Sequence, residues 1–283
     1  MWLLTDSIYI GLIQAAPLIL ATMGFTLIYY LNGFINVTYA ENITFGAYFA
    51  SVFQTFLGFG FFVSIVPAVL LAGLFSVLTF VCVFRPAMAR GVGPTEMIIL
   101  SVGLSFFFRY GATLVFGNNP YFLENANPQY WTVLGKGITD TQVAALTLVA
   151  VVTIGLLFFI YRTRWGEMMR ALANNRDLAE ASGIDPARVS MLIWFIAGAA
   201  GGLAGIFFGV FALVTPLMGW NMILIIIMLS IVGGIGSVRG ALIASVAAGI
   251  LTAAITLVSQ PLYAEIILLL VFIGVLRLRW KRA

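Results

Sequence analysis

The chain consists largely of apolar runs that are long enough to cross a lipid bilayer. A crossing helix needs roughly 20 apolar residues, and such runs recur at 8–31, 43–59, 61–84, 96–116, 143–161, 189–214, 222–235, 241–258 and 262–276. Charged residues make up only 8% of the chain, far less than a soluble protein carries. Because backbone polar groups in lipid must be satisfied within each segment, the runs predict helices. We therefore predict an all-α polytopic membrane protein with eight or nine transmembrane helices, in one integral membrane domain over residues 1–283.

The positions of the basic residues predict the orientation of these helices. Lysine and arginine concentrate in the cytoplasmic loops of membrane proteins. Here they form three clusters: Arg85 and Arg90; Arg162, Arg164, Arg170, Arg176 and Arg188; and Arg277, Arg279, Lys281 and Arg282. The stretch 117–142 carries Lys136 against Glu124 and Asp140, which places it outside. We predict an extracytoplasmic N-terminus and a cytoplasmic C-terminus. The pI near 9.4 does not indicate nucleic-acid binding, because the positive charges lie in short loops.

The long polar segment at about 162–188 predicts an amphipathic helix on the cytoplasmic side. Its apolar residues recur at helical spacing, at Trp165, Met168, Met169, Leu172 and Ala179. Glu167 with Arg170, and Arg176 with Glu180, are spaced to form ion pairs along the helix. Two interpretations fit this pattern: a helix that lies at the lipid headgroups, or one that binds in a groove of a cytoplasmic partner.

The composition excludes several kinds of site. The chain has no histidine, which excludes a histidine base, a histidine-ligated metal and a Ser/His/Asp triad. Its two lysines, Lys136 and Lys281, do not stand in the GxxxxGK[ST] pattern of an ATP-binding loop. We predict that the chain has no catalytic site and binds no metal or cofactor of its own.

Glu41 and Arg109 are ionisable residues beside or within apolar runs, where a charge is costly unless it faces protein or water. Two explanations of Glu41 stay open. It is a helix cap or structural partner of a nearby asparagine, or it lines a transport path or its gate. In the second case Asn36, Thr38 and Tyr39 supply hydrogen bonds to a zwitterionic solute. Arg109 snorkels, pairs or faces an aqueous cavity, and the sequence does not identify its partner.

Two sets of glycines predict close packing of helices. They are Gly201, Gly205 and Gly209 in the run 189–214, and Gly233, Gly234 and Gly236 at the end of the run 222–235. Glycines four residues apart let another helix approach closely. A short, glycine-interrupted run also indicates a discontinuous helix at a transport site, and the interruption at 36–41 is its counterpart in the first half.

Three blocks of sequence occur in an order that one known family shares. They are GFTLIYYLNGFINVTYAE at 24–41, FRP at 84–86, and a stretch that contains Gly166, Arg170, Ala171, Asn174, Ala179, Gly183 and Ile184 and continues to GGIGSVRGALI at 233–243. Together they make the chain similar to the branched-chain amino acid ABC transporter permeases, a family that includes urea-type members. Tyr39 departs from the family, which usually has a histidine there.

The resemblance implies a permease subunit of a binding-protein-dependent ABC importer, forming half of the path for branched-chain or other hydrophobic amino acids. The implied partners are a second permease subunit, identical or homologous, two cytoplasmic ATPase subunits that bind the ATP, and an extracytoplasmic solute-binding protein. The subunit would lie in a bacterial-type inner membrane. The helix from Trp165 to Ser182 would be the coupling element on the ATPase, and the seven residues named above, from Gly166 to Ile184, would be the coupling residues. Urea, short amides or sugars are alternative solutes, and an ATP-independent secondary transporter is the alternative mechanism.

Overall fold

Helices make up most of the described structure. The computed structural model describes residues 2–123, 129–133, 136–234 and 236–280. Its helices are α1 (Trp2–Asn32), α2 (Tyr39–Thr55), α3 (Phe61–Thr79), α4 (Arg85–Ala89), α5 (Pro94–Phe116), α6 (Asp140–Arg162), α7 (Arg164–Asn174), α8 (Arg176–Ala181), α9 (Pro186–Phe211), α10 (Met218–Gly233), α11 (Val238–Thr256) and α12 (Pro261–Trp280), with a π-helical turn, Phe80–Phe84, that joins α3 to α4. Glu124, Lys281 and Arg282, which contributed to the predicted orientation, lie outside the described residues.

Six helical segments within the described residues are long and apolar enough to cross a membrane. They are Asp6–Asn32, Phe61–Ala89, Pro94–Phe116, Asp140–Arg162, Pro186–Phe211 and Val238–Thr256. Two shorter apolar helices, Met218–Gly233 and Ile266–Arg277, accompany them, and α2 has 17 residues. The chain is therefore a mainly helical, integral membrane protein. The count of eight or nine crossings stays a prediction.

Helix α9 lies at the centre of the molecule and packs against α1, α2 and α3. Its small residues make this possible: a Cβ on Gly205 would overlap the carbonyl oxygen of Ile43 in α2, and one on Gly201 would lie 2.8 Å from the hydroxyl of Tyr39. A Cβ on Gly209 would lie 2.7 Å from Val214. Helix α1 packs along both α9 and α11, so the N-terminal helix belongs to the core.

A small β-hairpin departs from the all-α prediction. Strands β1 (Tyr130–Val133) and β2 (Lys136–Thr139) pair antiparallel in the connection between α5 and α6, and Tyr121 forms a further antiparallel bridge with Val214. Aromatic and β-branched residues such as Trp131 and Ile138 favour extended backbone. The same connection ends in a capping box, because the side chain of Thr139 accepts from the backbone of Gln142 and the side chain of Gln142 accepts from that of Thr139.

The polar segment forms two helices where the sequence predicted one. Helix α7 ends at Asn174, and Asn175 has extended backbone with φ −154°. The side chain of Asn175 accepts a hydrogen bond from the backbone of Leu178 at 3.0 Å, which makes it the N-cap of α8. Asparagine is among the best N-cap residues because its side chain satisfies a free backbone donor. We call α7, α8 and this bend the polar elbow, residues 164–181.

Candidate functional site

Residues 36–41, between α1 and the first turn of α2, are buried. The hydroxyl of Thr38 donates to the carbonyl of Ser101 at 2.7 Å, and the hydroxyl of Tyr39 donates to the carbonyl of Ala197 at 3.2 Å. Asn36, Thr38, Tyr39 and Glu41 are each at most 2% exposed. Two of the four predicted path residues, Thr38 and Tyr39, thus bond to the backbone of α5 and α9, and the part of all four in a path or gate stays a prediction.

Glu41 and Arg109 form a buried ion pair between α2 and α5. Nη2 of Arg109 lies 3.3 Å from Oε1 of Glu41. The hydroxyl of Ser105 donates to the same Oε1 at 2.7 Å and accepts from Nη2 of Arg109 at 3.1 Å. This pair answers the question that the sequence left open for Arg109. The two residues are 68 positions apart, so no local spacing in the sequence could identify the pair.

Aromatic side chains cover Arg109. Its Cζ lies 3.9 Å from the centroid of the Trp220 ring and 5.1 Å from that of Phe106. Trp220 belongs to the first turn of α10, so the arginine joins α5 to α10 as well as to α2. A guanidinium stacked on an aromatic face keeps a fixed plane. No pattern in the sequence indicated this contact, because a tryptophan in an apolar run is ordinary in membrane proteins.

An open cleft reaches Arg109 from the surface. Its volume is about 530 Å³, and it is lined by Arg109, Tyr110, Thr113, Asn118, Thr215, Pro216, Leu217 and Asn221. We call it the Arg109 cleft. It lies between the second half of α5 and the segment that leads into α10. None of its lining residues was among the predicted path residues, since asparagine and threonine in loops carry no distinctive signal.

Helices α2 and α10 begin side by side. The backbone N–H of Gly219 donates to the hydroxyl of Thr44 at 3.0 Å, and a Cβ on Gly219 would overlap the carbonyl oxygen of Ala40. The interruption at 36–41 therefore meets the start of α10. The glycines that end α10 lie elsewhere: Gly233 packs against Gly240, and Gly236 packs against Tyr30. Gly234 and Gly236 have positive φ values of 107° and 77°, which favour glycine.

The polar elbow is anchored to the end of α6. Arg170 donates to the carbonyl oxygen of Ile160, and Gly166 lies so close to the same carbonyl that a Cβ would overlap it. The expected pair of Arg170 with Glu167 is replaced by this contact. The pair of Arg176 with Glu180 is present at 3.0 Å. The elbow thus forms a short unit attached to a membrane helix.

One side of the elbow faces the protein, and the other is free within the described residues. Met169, Leu172 and Ala179 are at most 6% exposed, and Ala171 and Ile184 are half-buried. Asn174 and Gly183 are exposed, and Gly183 ends α8 with a φ of 86°. Leu178 is an apolar side chain that is 66% exposed. The predicted coupling residues are therefore divided between an anchoring face and an accessible one.

Tyr161 connects the elbow to α11. The Cζ of Arg239, in the first turn of α11, lies 4.0 Å from the centroid of the Tyr161 ring, and that of Arg170 lies 5.9 Å from it. Two arginines from different elements thus share one ring.

Comparisons with known proteins identify the family of the chain. Residues 7–276 match the family described as "Branched-chain amino acid transport system / permease component". A "Probable branched-chain amino acid transport permease protein LivH" from Methanocaldococcus jannaschii is 25% identical over 253 residues, which cover 87% of this chain and 79% of that protein. The "High-affinity branched-chain amino acid transport system permease protein LivH" of Escherichia coli K12 is 25% identical over 254 residues, with 85% and 82% covered. BraD of Pseudomonas aeruginosa, named in the same way, is 24% identical over 253 residues, with 85% and 82% covered. No solved structure matches the chain significantly.

Proposed function

We infer the function from one premise: the chain belongs to the family of permease components of branched-chain amino acid transport systems. We propose that it is a permease subunit of a binding-protein-dependent ABC importer and forms half of the path for branched-chain or other hydrophobic amino acids. Its partners would be a second permease, two ATPase subunits and a solute-binding protein. The chain would bind no cofactor, because the ATPase subunits would bind the ATP.

The polar elbow is the observation that carries this proposal. A permease that has no ATPase domain of its own needs a rigid surface on which a separate ATPase can act. The elbow has one face packed into the protein, through Met169 and Leu172, and an accessible face with Asn174 and Leu178. A short amphipathic helix that fits a groove is a common mode of recognition. Near-balanced charge, with Arg176 paired to Glu180, favours a protein groove over an anionic lipid surface.

The proposed orientation follows from this assignment. With the elbow in the cytoplasm, the connection between α5 and α6 that contains the β-hairpin is extracytoplasmic, and the Arg109 cleft opens toward that side. The N-terminus is then outside and the C-terminus inside. The solute-binding protein would meet the hairpin side, and the ATPase would meet the opposite side.

Leu178→Glu tests the elbow as the ATPase contact. An exposed leucine contributes to a complex only if a partner buries it, and full burial of such a side chain is worth about 1.5–3 kcal/mol. We expect the substitution to weaken co-purification of the ATPase by at least tenfold and to reduce ATP-driven uptake in proteoliposomes. Phe122→Glu is the matched control for co-purification of the ATPase, because Phe122 is 62% exposed on the opposite connection. Normal ATPase association of the Leu178→Glu variant would refute the elbow's role.

A further inference from the structure

The ion pair of Glu41 and Arg109 is geometrically incomplete. It consists of a single contact, between Nη2 and Oε1 at 3.3 Å, although arginine and carboxylate form their strongest pairs through two parallel hydrogen bonds. Oε2 of Glu41 and Nε of Arg109 are both buried without a hydrogen-bond partner among the described residues. A buried charge pair that served stability alone would gain by satisfying these atoms. Arg109 therefore retains a hydrogen-bond donor that none of the described residues uses.

Arg109 also lines a cleft that fits a small solute. Among the described residues that line the cleft, Arg109 is the one that carries a charge, so the cleft favours an anionic group. Its volume of about 530 Å³ lies in the range of small-molecule sites, ~300–1,000 Å³. Helix α10 begins at Met218, directly after the lining residues Pro216 and Leu217, and the N-terminal end of a helix adds positive potential.

The remaining walls suit the other parts of a zwitterion. Side-chain oxygens of Thr113, Asn118 and Thr215 can accept hydrogen bonds from an ammonium group. Tyr110 and Leu217 supply apolar surface. Trp220 covers one face of the guanidinium at 3.9 Å, which leaves the edge of the guanidinium for a planar partner such as a carboxylate.

We propose that the Arg109 cleft binds the carboxylate of a zwitterionic amino acid on its way through the permease, with Arg109 as the anchor. Glu41 is the resident counter-ion that neutralises Arg109 when the cleft is empty, and it gives way when the solute carboxylate arrives. The inference rests on the proposed function, which supplies the solute class. It assigns that solute a binding site within the membrane subunit itself.

Protection from chemical labelling tests the binding site directly and needs neither ATP nor transport. Asn221→Cys, in a Cys82→Ser background, places a thiol in the wall of the cleft. In the purified transporter complex we expect saturating L-leucine to slow maleimide labelling at this position at least fivefold. We expect L-leucinol, which lacks the carboxylate, to have little effect. Asn119→Cys, which does not line the cleft, is the matched control. Equal protection by both compounds, or by neither, overturns the proposal.

A charge-pair replacement separates an anchor from a structural ion pair. The double variant Glu41→Gln with Arg109→Gln removes both charges and leaves no buried charge unpaired. We expect the complex to assemble and to keep ATP hydrolysis that the loaded binding protein stimulates, while uptake of labelled L-leucine falls at least tenfold. Wild-type uptake by the double variant would overturn the anchor role. If it does not assemble, the labelling experiment decides. Absence of ATP-driven uptake by the unmodified complex would instead refute the proposed function.

Discussion

Single glycine residues set the distance between the central helices. Helix α9 approaches α2 so closely at Gly205 that any side chain would meet the carbonyl oxygen of Ile43. Membrane helices associate mainly through such close packing, because lipid provides no hydrophobic force between them. The close packing of α9 and α2, which positions Tyr39 and Glu41, thus depends on the absence of a side chain at Gly205.

Gly205→Ala should destabilise the protein. The added methyl group would force α9 and α2 apart, and overpacking of this kind costs about 1–3 kcal/mol. We expect the thermal unfolding midpoint of the purified permease to fall by several degrees. Gly155→Ala is the control: a Cβ there has nothing within 4 Å, and alanine is the better helix former. An unchanged midpoint for Gly205→Ala would contradict the close approach.

The sequence could predict the glycines and could not predict the polar partners. Spacing alone indicated Gly201 and Gly205, since a four-residue repeat is a local pattern. The contact of Arg109 with Glu41 depends on how α5 and α2 lie together, and no local pattern records that. Trp220 was missed for the same reason.

At the scale of the elements, the end of α6 joins the elbow to the membrane helices. Arg170 of α7 binds the carbonyl of Ile160, and Arg239 of α11 stacks on Tyr161. A displacement of the elbow would therefore move α6 and α11 together. Helix α11 in turn packs along α1 and α10, and α10 carries Trp220 at the Arg109 cleft.

Tyr161→Leu should uncouple ATP hydrolysis from transport. The substitution removes the ring that Arg239 contacts, and a cation–π interaction of an exposed arginine such as this one is worth about 0.5–1 kcal/mol. We expect the amount of leucine imported per ATP hydrolysed to fall by about two- to fivefold. Tyr161→Phe keeps the ring and should behave as the wild type. If Tyr161→Leu imports normally, the elbow acts on the membrane helices by another route.

Element boundaries were predicted with mixed success, and the reasons are physical. The runs 61–84, 96–116 and 143–161 correspond to helices because hydropathy alone requires a span. The elbow was predicted as one helix, since its apolar spacing continues through Asn175, but the side chain of that residue satisfies the backbone of a new helix instead. The hairpin at 130–139 was missed because two four-residue strands carry little periodicity.

For the molecule as a whole, the proposed function requires that the ATPase and the solute-binding protein bind on opposite sides of the membrane. The elbow and the basic residues Arg85 and Arg90 belong to the proposed cytoplasmic side. The hairpin and Asn119 belong to the side of the solute-binding protein. The sequence predicted this arrangement from charge alone, through the general preference of basic residues for the cytoplasm.

The cytoplasmic position of the elbow is tested most directly by labelling it from each side of the membrane. A membrane-impermeant maleimide would be applied to right-side-out and inverted vesicles that carry Asn174→Cys or Asn119→Cys in the Cys82→Ser background; both asparagines are exposed. We expect Asn174→Cys to react only in inverted vesicles and Asn119→Cys only in right-side-out vesicles. Reaction of Asn174→Cys in right-side-out vesicles would place the elbow outside the cell, where no ATPase could reach it. That result would contradict the proposed function.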